Sequence, residues 1–238
     1  YIVCIGSRIN KKKAINNNLK KIAKDLSKVL KKGDLIILRG TVSVGVSRRV
    51  FLKSLLQFSG LKNGVDFYFA YMPERIVEGN ALEELENIPC LISGSSEKCL
   101  EVAHDYSKEL FKNVIKLDSL EEGEIIKLTT NSFRALNFTF SNEISRIANL
   151  HNLSGSNLIE KANYGYNRNS ISKPSLGIGG FCLPKDPILF GDNLQKNSNY
   201  KLGKIVNDIN KSATTFFANN IAEIIKKNQQ IKKILIMG

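Results

Sequence analysis

The sequence has no tryptophan, and it has only two histidines, four cysteines and five prolines among its 238 residues. It also lacks an apolar run long enough to cross a bilayer, so we expect no membrane partner. The four cysteines are scattered without a Cys-x-x-Cys pair. This scatter argues against a metal site or a disulfide framework and favours a reduced, cytoplasmic setting. Hydrophobic residues make up 42% of the chain, so most of it is expected to fold rather than to be disordered.

Positive charge dominates the composition, with 35 Lys and Arg against 22 Asp and Glu and a formal net charge of +13. A basic chain makes nucleic acid a candidate partner. The lysines are spread along the chain, however, and neither an RNP-like aromatic pattern nor a zinc finger accompanies them. A solvated basic surface is therefore the favoured interpretation, and no nucleic-acid partner is expected. Positive potential would also attract a polyanionic small ligand such as a nucleotide.

Strand-like and helix-like segments alternate over the first half of the chain. Short apolar runs rich in β-branched residues predict strands at 1–5, 35–38, 65–71, 89–93 and 114–117. Helical spacing falls between them, at 18–30, 47–58 and 96–110. This alternation predicts an α/β fold with a Rossmann-type parallel, doubly wound sheet. From about residue 119 the pattern becomes helical, at 121–150, 158–162, 185–194 and 202–228, which predicts an all-helical second region.

Both ends of the chain look cut. Tyr1 opens directly into a strand-like run, with neither an initiator Met nor a signal-peptide pattern. The last residues, 233–238, read as a strand that begins and then stops. We therefore expect the chain to be a piece of a larger protein.

The segment Gly177–Pro187 carries the strongest local signal, Gly-Ile-Gly-Gly-Phe-Cys-Leu-Pro-Lys-Asp-Pro. Its glycines permit close backbone approach and positive φ. Cys182 precedes a predicted helix start, and Lys185 follows three residues later. Both features lower a thiol pKa, and a thiolate can attack a carbonyl carbon. A glycine-rich turn with an incidental buried cysteine is the open alternative.

Two other segments carry polar side chains one helical turn apart. Glu74 and Glu78 follow the third predicted strand, at the end where doubly wound sheets bind ligands. Paired carboxylates can order water, act as a base or hold a sugar hydroxyl, although spacing alone favours a charged helix start. Lys127 and Asn131 share one helix face, where an ammonium and an amide could stabilise an oxyanion. A solvated helix face is the alternative for that pair, and spacing does not exclude it.

Taken together and in this order, these segments resemble the UDP-glucose/GDP-mannose dehydrogenase family, the nucleotide-sugar 6-dehydrogenases. The resemblance covers nearly the whole chain, and its glycine-rich Cys-x-Pro-Lys-Asp segment is highly specific to that family. The supporting matches are Leu38–Gly45, Pro73–Gly79, Lys127–Asn131 and the pair Asn142 and Glu143.

The resemblance implies a division into three domains. Residues 1–118 would be the second half of an NAD-binding Rossmann domain. Residues 119–233 would be a central helical domain that dimerises and contains a long connecting helix. Residues 234–238 would be the first strand of a C-terminal domain that binds the UDP-sugar. The implied partners are therefore a nucleotide sugar and a second copy of the chain.

The family's reaction oxidises the C6 alcohol of the sugar to a carboxylate with two NAD. The resemblance implies that Asp186 and Lys127, with an ordered water, take up the proton of the C6 hydroxyl in the first oxidation. Cys182 would attack the aldehyde to give a thiohemiacetal, and a second oxidation would give a thioester that water hydrolyses, with Glu78 or Asp186 as the general base. Lys127 and Asn131 would stabilise the oxyanions.

The resemblance also implies which residues bind the ligands. Glu74 would help to order water or a sugar hydroxyl. The residues implied for the cofactor are Ser7, Thr41, Glu78 and Lys185. Those implied for the sugar are Arg168 (if a small gap is allowed), Ser172, Lys173, Pro174, Ser175 and Gly179.

Several positions depart from the family pattern. Gly6-Ser7-Arg8 stands where the family has Gly-Thr-Pro, Gly40 stands where it has Ser, and Ile171 where an aromatic is common. The Gly-x-Gly-x-x-Gly phosphate turn does not occur in the 238 residues and would precede Tyr1. We therefore expect the bare chain to be inactive, and NAD cannot be distinguished from NADP by pattern. A non-catalytic dimerisation or binding remnant is the alternative function.

The substrate preference is divided between two signals. The form Pro-Glu-Arg-Ile-Val-Glu-Gly and the trailing Pro187 favour members that oxidise UDP-N-acetylhexosamines of the N-acetylmannosamine type. The form Cys-Leu-Pro-Lys-Asp is common among UDP-glucose members. The balance favours a UDP-N-acetylhexosamine slightly.

Overall fold

The computed structural model describes residues 1–10, 13–76, 79–192, 194, 199–228 and 230–235. The chain divides into two compact units. The first consists of Tyr1–Ser132 with Lys185–Gly203, and the second of Phe133–Pro184 with Lys204–Gly238. The first boundary between these units falls after Ser132, whereas the predicted domain boundary falls after residue 118. The assignment of 1–118, 119–233 and 234–238 to family domains stays a prediction.

A five-stranded sheet forms the centre of the first unit, in the order β1-β4-β5-β6-β7. The neighbouring strands are parallel except for β5 and β6, which are antiparallel. The predicted α/β fold is thus confirmed, but the sheet is mostly rather than wholly parallel. A separate antiparallel hairpin, β2 with β3, was not predicted. The strands are β1 (Ile2–Val3), β2 (Arg8–Asn10), β3 (Lys13–Ile15), β4 (Leu35–Leu38), β5 (Tyr68–Tyr71), β6 (Cys90–Gly94) and β7 (Val114–Leu117).

The antiparallel pair has a local cause in the connection from β5 to β6. A parallel neighbour needs a crossover, usually a helix packed on the sheet. The helix in this connection, α3 (Ala81–Asn87), has no buried residue among its seven, so it does not cover the sheet. The chain instead re-enters the sheet from the edge where β5 ended. As a result, β6 runs back along β5 with Ser93 opposite Tyr71.

Both faces of the sheet are covered by apolar packing. Alternate side chains of β4 point to opposite faces, with Ile36 in one buried cluster and Ile37 in the other. Burial on both faces explains why the strands read as continuous apolar runs. The helices of the sheet region are α1 (Asn17–Ser27), a π-helical segment (Ser47–Leu52) that continues as α2 (Lys53–Ser59), and α4 (Glu97–Leu110).

Beyond Val114–Leu117 the described residues form helices and loops only. The long helix α5 (Leu120–Leu150) begins in the first unit and ends in the second. In the second unit α6 packs tightly against it, since a Cβ at Gly155 would lie 2.7 Å from Ser145 Cα. The other helices are α6 (Gly155–Asn163), α7 (Asp186–Phe190) and α8 (Leu202–Lys227).

Two local predictions differ from the structure. Residues 73–76 are irregular, so Glu74 does not lie on a helical turn, and Glu78 lies outside the described residues. At the other end, residues 231–235 do not form a strand, while 236–238 also lie outside the described residues. In the part of the chain that is described, no helix combines the length and apolar character needed to cross a membrane.

Candidate functional site

The loops after β1 and β4 meet backbone to backbone at the carboxyl edge of the sheet. A Cβ at Gly6 would collide with the carbonyl oxygen of Thr41, and one at Gly40 would collide with that of Ile5. The Ser7 amide donates a hydrogen bond to the Thr41 carbonyl at 2.9 Å. Doubly wound sheets bind dinucleotides at this edge. The glycine at position 40, which departs from the family pattern, is therefore required by the close approach of the two loops.

Ser7 and Thr41 occupy different environments at this edge. Ser7 is buried, and its hydroxyl donates to Asn16 Oδ1 at 2.7 Å, so the hydroxyl is engaged within the protein. Thr41 is half-buried. Gly6 and Gly40 let the two loops approach backbone to backbone beside Thr41, and a glycine-lined edge of this kind fits a dinucleotide. Thr41 is thus more accessible than Ser7, and contact of either side chain with the cofactor stays a prediction.

Glu74 is held by an arginine on the neighbouring strand end. Arg39 follows β4 directly, and its guanidinium Nη2 pairs with Glu74 Oε2. The other carboxylate oxygen accepts the amide of Ile76 at 2.9 Å. Arg39 also lies over the ring of Phe111, 6.0 Å from its centroid. Glu74 therefore has a defined orientation without a helix, and Arg39 was not identified from the sequence.

Asp186 is the centre of a buried polar cluster. It is fully buried, and its Oδ2 accepts a hydrogen bond from Asn131 Nδ2 at 2.6 Å. The ammonium of Lys185 lies 2.8 Å from its Oδ1. A buried carboxylate is stable only with such partners. The structure thus brings three predicted site residues together. Asn131 and Lys185 both contact the carboxylate of Asp186, which their spacing in the sequence did not indicate. Lys127 lies one turn before Asn131 on α5 and is half-buried.

In the second unit, asparagine side chains hold the loop that contains the predicted sugar-binding residues. Each amide offers a donor and an acceptor, which match a backbone carbonyl and N–H. Asn137 donates to the Ser170 carbonyl at 2.7 Å and accepts the Ser172 amide at 2.9 Å. Asn142 accepts the Ser175 amide at 2.7 Å. Two more asparagines bind the same loop in this way, Asn163 at Ile171 and Asn210 at Ile178.

This loop leaves its predicted binding residues at or near the surface. Ser172 and Pro174 are half-buried, whereas Lys173, Ser175 and Gly179 are exposed. Arg168 lies just before the loop and is exposed, with its guanidinium 4.9 Å from the centroid of the Tyr166 ring. The side chains are therefore accessible to a ligand while the backbone is fixed.

Cys182 is an exposed, free thiol at the end of the same loop. It follows Gly180, whose φ of 77° requires glycine. The helix predicted to start at 185 begins at Asp186 and is only five residues long. The expectation of a buried cysteine in the alternative interpretation is therefore wrong, and the role of Cys182 as a nucleophile stays a prediction.

Glu124 is a residue of this region that sequence reasoning missed. It is fully buried on α5, and it accepts hydrogen bonds from the backbone amides of Gly45 and Ser47. Burial raises the pKa of Glu124 to about 7. A signal was available, since Leu120, Glu124 and Leu128 recur every four residues and share the buried helix face. An acid within an apolar stripe predicts a specific buried partner.

Comparison with known proteins gives two adjoining family matches. Residues 1–115 match the NAD binding domain of the UDP-glucose/GDP-mannose dehydrogenase family, and residues 121–212 match its central domain. The first match identifies NAD as the cofactor.

Individual relatives agree with the domain matches. The UDP-N-acetyl-D-mannosamine dehydrogenase of Pyrococcus horikoshii is 30% identical over 227 residues, which cover 95% of this chain and 53% of that protein. The protein of the same name from Methanocaldococcus jannaschii is 30% identical over 242 residues, which cover 100% of this chain and 54% of that protein. The chain thus spans about half the length of the curated relatives it matches. Because these relatives carry the names of enzymes, they give no support to a non-catalytic remnant.

Solved structures show the same architecture. The structure of UDP-D-ManNAc dehydrogenase from Pyrococcus horikoshii superposes with a TM-score of 0.87 at 29% identity, over 96% of this chain and 54% of that one. The UDP-N-acetyl-mannosamine dehydrogenase of Staphylococcus aureus gives 0.81 at 27% identity, over 95% and 53%. With both domain matches covering most of its length, the chain belongs to the UDP-glucose/GDP-mannose dehydrogenase family.

Proposed function

We propose that the protein is an NAD-dependent nucleotide-sugar 6-dehydrogenase that oxidises the C6 alcohol of a UDP-sugar to a carboxylate. The observation that carries this proposal is the buried cluster of Asn131, Lys185 and Asp186. In the sequence, Asp186 follows the exposed Cys182 by four residues, in a chain that matches two domains of the family. We also propose a reduced, cytoplasmic setting, because all four cysteines are free.

The first oxidation requires a base for the hydroxyl proton. The sheet edge at Thr41 would hold NAD, which would supply the hydride acceptor for each of the two oxidations. Asp186, oriented by Asn131 and Lys185, takes the C6 hydroxyl proton through an ordered water, and the positive charge of Lys127 stabilises the alkoxide as it forms. The product of this step is an aldehyde.

The second oxidation uses Cys182 as the nucleophile. Its thiolate adds to the aldehyde carbon to form a thiohemiacetal, and loss of the C6 hydride leaves a thioester. Water then adds to the thioester, with Glu78 or Asp186 taking its proton, and the Cys182 thiolate leaves. Lys127 and the second N–H of the Asn131 amide stabilise the oxyanions. Overall, one alcohol, one water and two NAD⁺ give one carboxylate, two NADH and three protons.

For the substrate, we propose a UDP-N-acetylhexosamine of the N-acetylmannosamine type. The names of the relatives above support this choice, and so does the form of the segment that begins at Pro73. Glu74 orders water or a sugar hydroxyl. Arg168 and the surface of the loop at Ser172, Lys173, Pro174, Ser175 and Gly179 bind the sugar nucleotide.

The test is a product balance with the protein at its full natural length. We expect two NADH per uronate from UDP-N-acetylmannosamine, and a lower kcat/KM for UDP-glucose. One NADH per sugar, with an aldehyde as the end product, would contradict the double oxidation. Equal or higher kcat/KM for UDP-glucose would contradict the substrate assignment while leaving the reaction class in place.

We further propose that the protein forms a homodimer through α5. In the second unit this helix exposes Phe133, Phe140 and Ile147, which are 64%, 57% and 59% accessible. Their spacing of seven residues forms one apolar stripe, which is typical of a helix that packs against another helix. A second copy of the chain offers the same stripe, and such a self-complementary contact forms a symmetric dimer.

The dimer is tested by sedimentation of the protein at its full natural length. Phe140→Lys should shift the protein towards monomer. Asn149→Lys, which adds the same charge at an exposed polar position of this helix, should leave the dimer intact. A Phe140→Lys protein that sediments like the wild type would contradict the proposed contact.

A further inference from the structure

The carboxylate of Glu124 accepts three hydrogen bonds at the start of a helix. Its Oε1 accepts the amide of Ser47 at 2.8 Å and the Ser47 hydroxyl at 2.5 Å, and its Oε2 accepts the amide of Gly45. The helical run that begins at Ser47 continues without a break to Ser59. Free amides and the partial positive charge at a helix start both favour an anion. One buried carboxylate thus supplies the acceptors for this end of the helix.

The same side chain connects two parts of the first unit. Gly45 belongs to the turn that follows Thr41, at the sheet edge that fits the cofactor, and Ser47 starts the helix after that turn. Glu124 itself belongs to α5, and Lys127 and Asn131 follow it at three and seven residues, on the same side of the helix. The hydrogen bonds of Glu124 therefore set the position of this helix relative to the turn at Thr41.

We propose that Glu124 is a positioning residue for the nucleotide-sugar oxidation, and that it acts in its ionised form. As a carboxylate it accepts all three donors and keeps Lys127 and Asn131 in place relative to the Thr41 turn. Protonation weakens these bonds, and turnover falls with it. This inference depends on the proposed function for its kinetic consequence, but the ionisation of Glu124 can be measured independently.

The charged groups around Glu124 set the pH at which this happens. Burial raises the pKa of Glu124, and the negative charge of Glu121 on the same helix raises it further, whereas the bonds to Ser47 and Gly45 lower it. Arg48, which follows Ser47, pairs with Glu121 at 2.8 Å.

Two other groups lie on the elements around this carboxylate. The guanidinium of Arg49 donates to the carbonyl of Val44 at 2.7 Å, on the exposed side of the turn. Tyr71 on β5 is fully buried, and the negative charges of Glu124 and Asp186 add to burial in raising the pKa of its hydroxyl. Tyr71 therefore stays neutral, and the ionisation of Glu124 falls near neutral pH.

The kinetic test compares wild type with Glu124→Gln, at full natural length, across a range of pH. Glutamine resembles the protonated acid, so the two proteins should have similar kcat at about pH 5.5. Above neutral pH the kcat of wild type should exceed that of Glu124→Gln by about tenfold, the scale expected for slight misplacement of catalytic groups. If the ratio of these two kcat values stays constant with pH, the role of Glu124 is merely structural and the proposal is overturned. Glu122→Gln is the matched control, since Glu122 lies in the same helical turn and accepts a hydrogen bond from the Asp118 amide. The ratio of the wild-type kcat to that of Glu122→Gln should not depend on pH.

A second measurement decides the matter if Glu124→Gln does not fold. In protein carrying ¹³C-labelled glutamate, the Glu124 carboxyl resonance should titrate near neutral pH. Ser47→Ala removes one donor to the ionised form and should move that midpoint upward. A midpoint in the ordinary range of glutamate, or one that Ser47→Ala leaves unchanged, would overturn the proposal. Either result in an enzyme that still oxidises its substrate would leave the proposed function standing.

Discussion

Replacement of Asn131 by alanine tests the buried cluster around Asp186. Asn131 is 6% exposed, Asp186 is fully buried, and their side chains are joined by a 2.6 Å hydrogen bond. A hydrogen bond to a charged group contributes about 1.5–3 kcal/mol, and loss of the donor leaves Asp186 Oδ2 without the partner the structure gives it. We therefore expect the free energy of unfolding to fall by about 2–3 kcal/mol, which is roughly 5–10 °C in Tm for a chain of this size.

The assay is urea unfolding of wild type and variants, followed by circular dichroism. Asn149→Ala is the control, because Asn149 is an exposed asparagine on the same helix. Its replacement should change the free energy of unfolding by no more than about 0.5 kcal/mol. If Asn131→Ala costs no more than this control, the reasoning about the buried cluster is wrong.

Three other predictions concern the region around α5. A Cβ at Gly123 would lie 2.9 Å from Cδ1 of the buried Tyr71 ring. Gly123→Ala should therefore lower the free energy of unfolding in urea by about 1–3 kcal/mol, despite a gain in helix propensity of about 1 kcal/mol, and a net gain would contradict this. Because the folded-state pKa of Glu124, about 7, lies above its ordinary value of 4.5, its contribution to stability is fully present below 4.5. That contribution is lost as pH rises through about 7, which lowers the free energy of unfolding by on the order of 3 kcal/mol. The free energy of unfolding of Glu124→Gln should not show this change over the same pH range. The half-exposed pair of Arg48 and Glu121 should show a coupling below about 1 kcal/mol in a double-mutant cycle, smaller still in 1 M salt, and a larger coupling would contradict its exposure.

Local patterning predicted much of the fold. The strands at 35–38 and 114–117 have the predicted bounds, and α5 begins one residue before its predicted start. These segments succeed because burial on one or both faces leaves a clear period in the sequence. The direction of β6 could not be predicted in this way. It depends on whether the helix before it packs on the sheet, and α3 does not.

The candidate site, like the fold, was predicted from the sequence only in part. Motif resemblance selected Asn131, Lys185 and Asp186 separately, but it could not show that they share one cluster. Asn131 and Asp186 are 55 residues apart, and only the tertiary fold brings them together. Glu124 was detectable in principle, since its place in the apolar stripe of α5 conflicts with its charge. Asn142 was among the family matches, but the hydrogen bonds by which it and the other asparagines hold the loop of predicted sugar-binding residues could not be predicted, because their targets are backbone groups.

The most direct test of the central claim is the yield of uronate from Cys182→Ala, measured with the protein at its full natural length, NAD and UDP-N-acetylmannosamine. Cys4→Ala is the matched control, because Cys4 is also an exposed, free thiol. We predict that Cys4→Ala produces uronate as the wild type does, with two NADH for each, and that Cys182→Ala produces none. Uronate formation by Cys182→Ala at the wild-type rate would contradict a covalent route through Cys182.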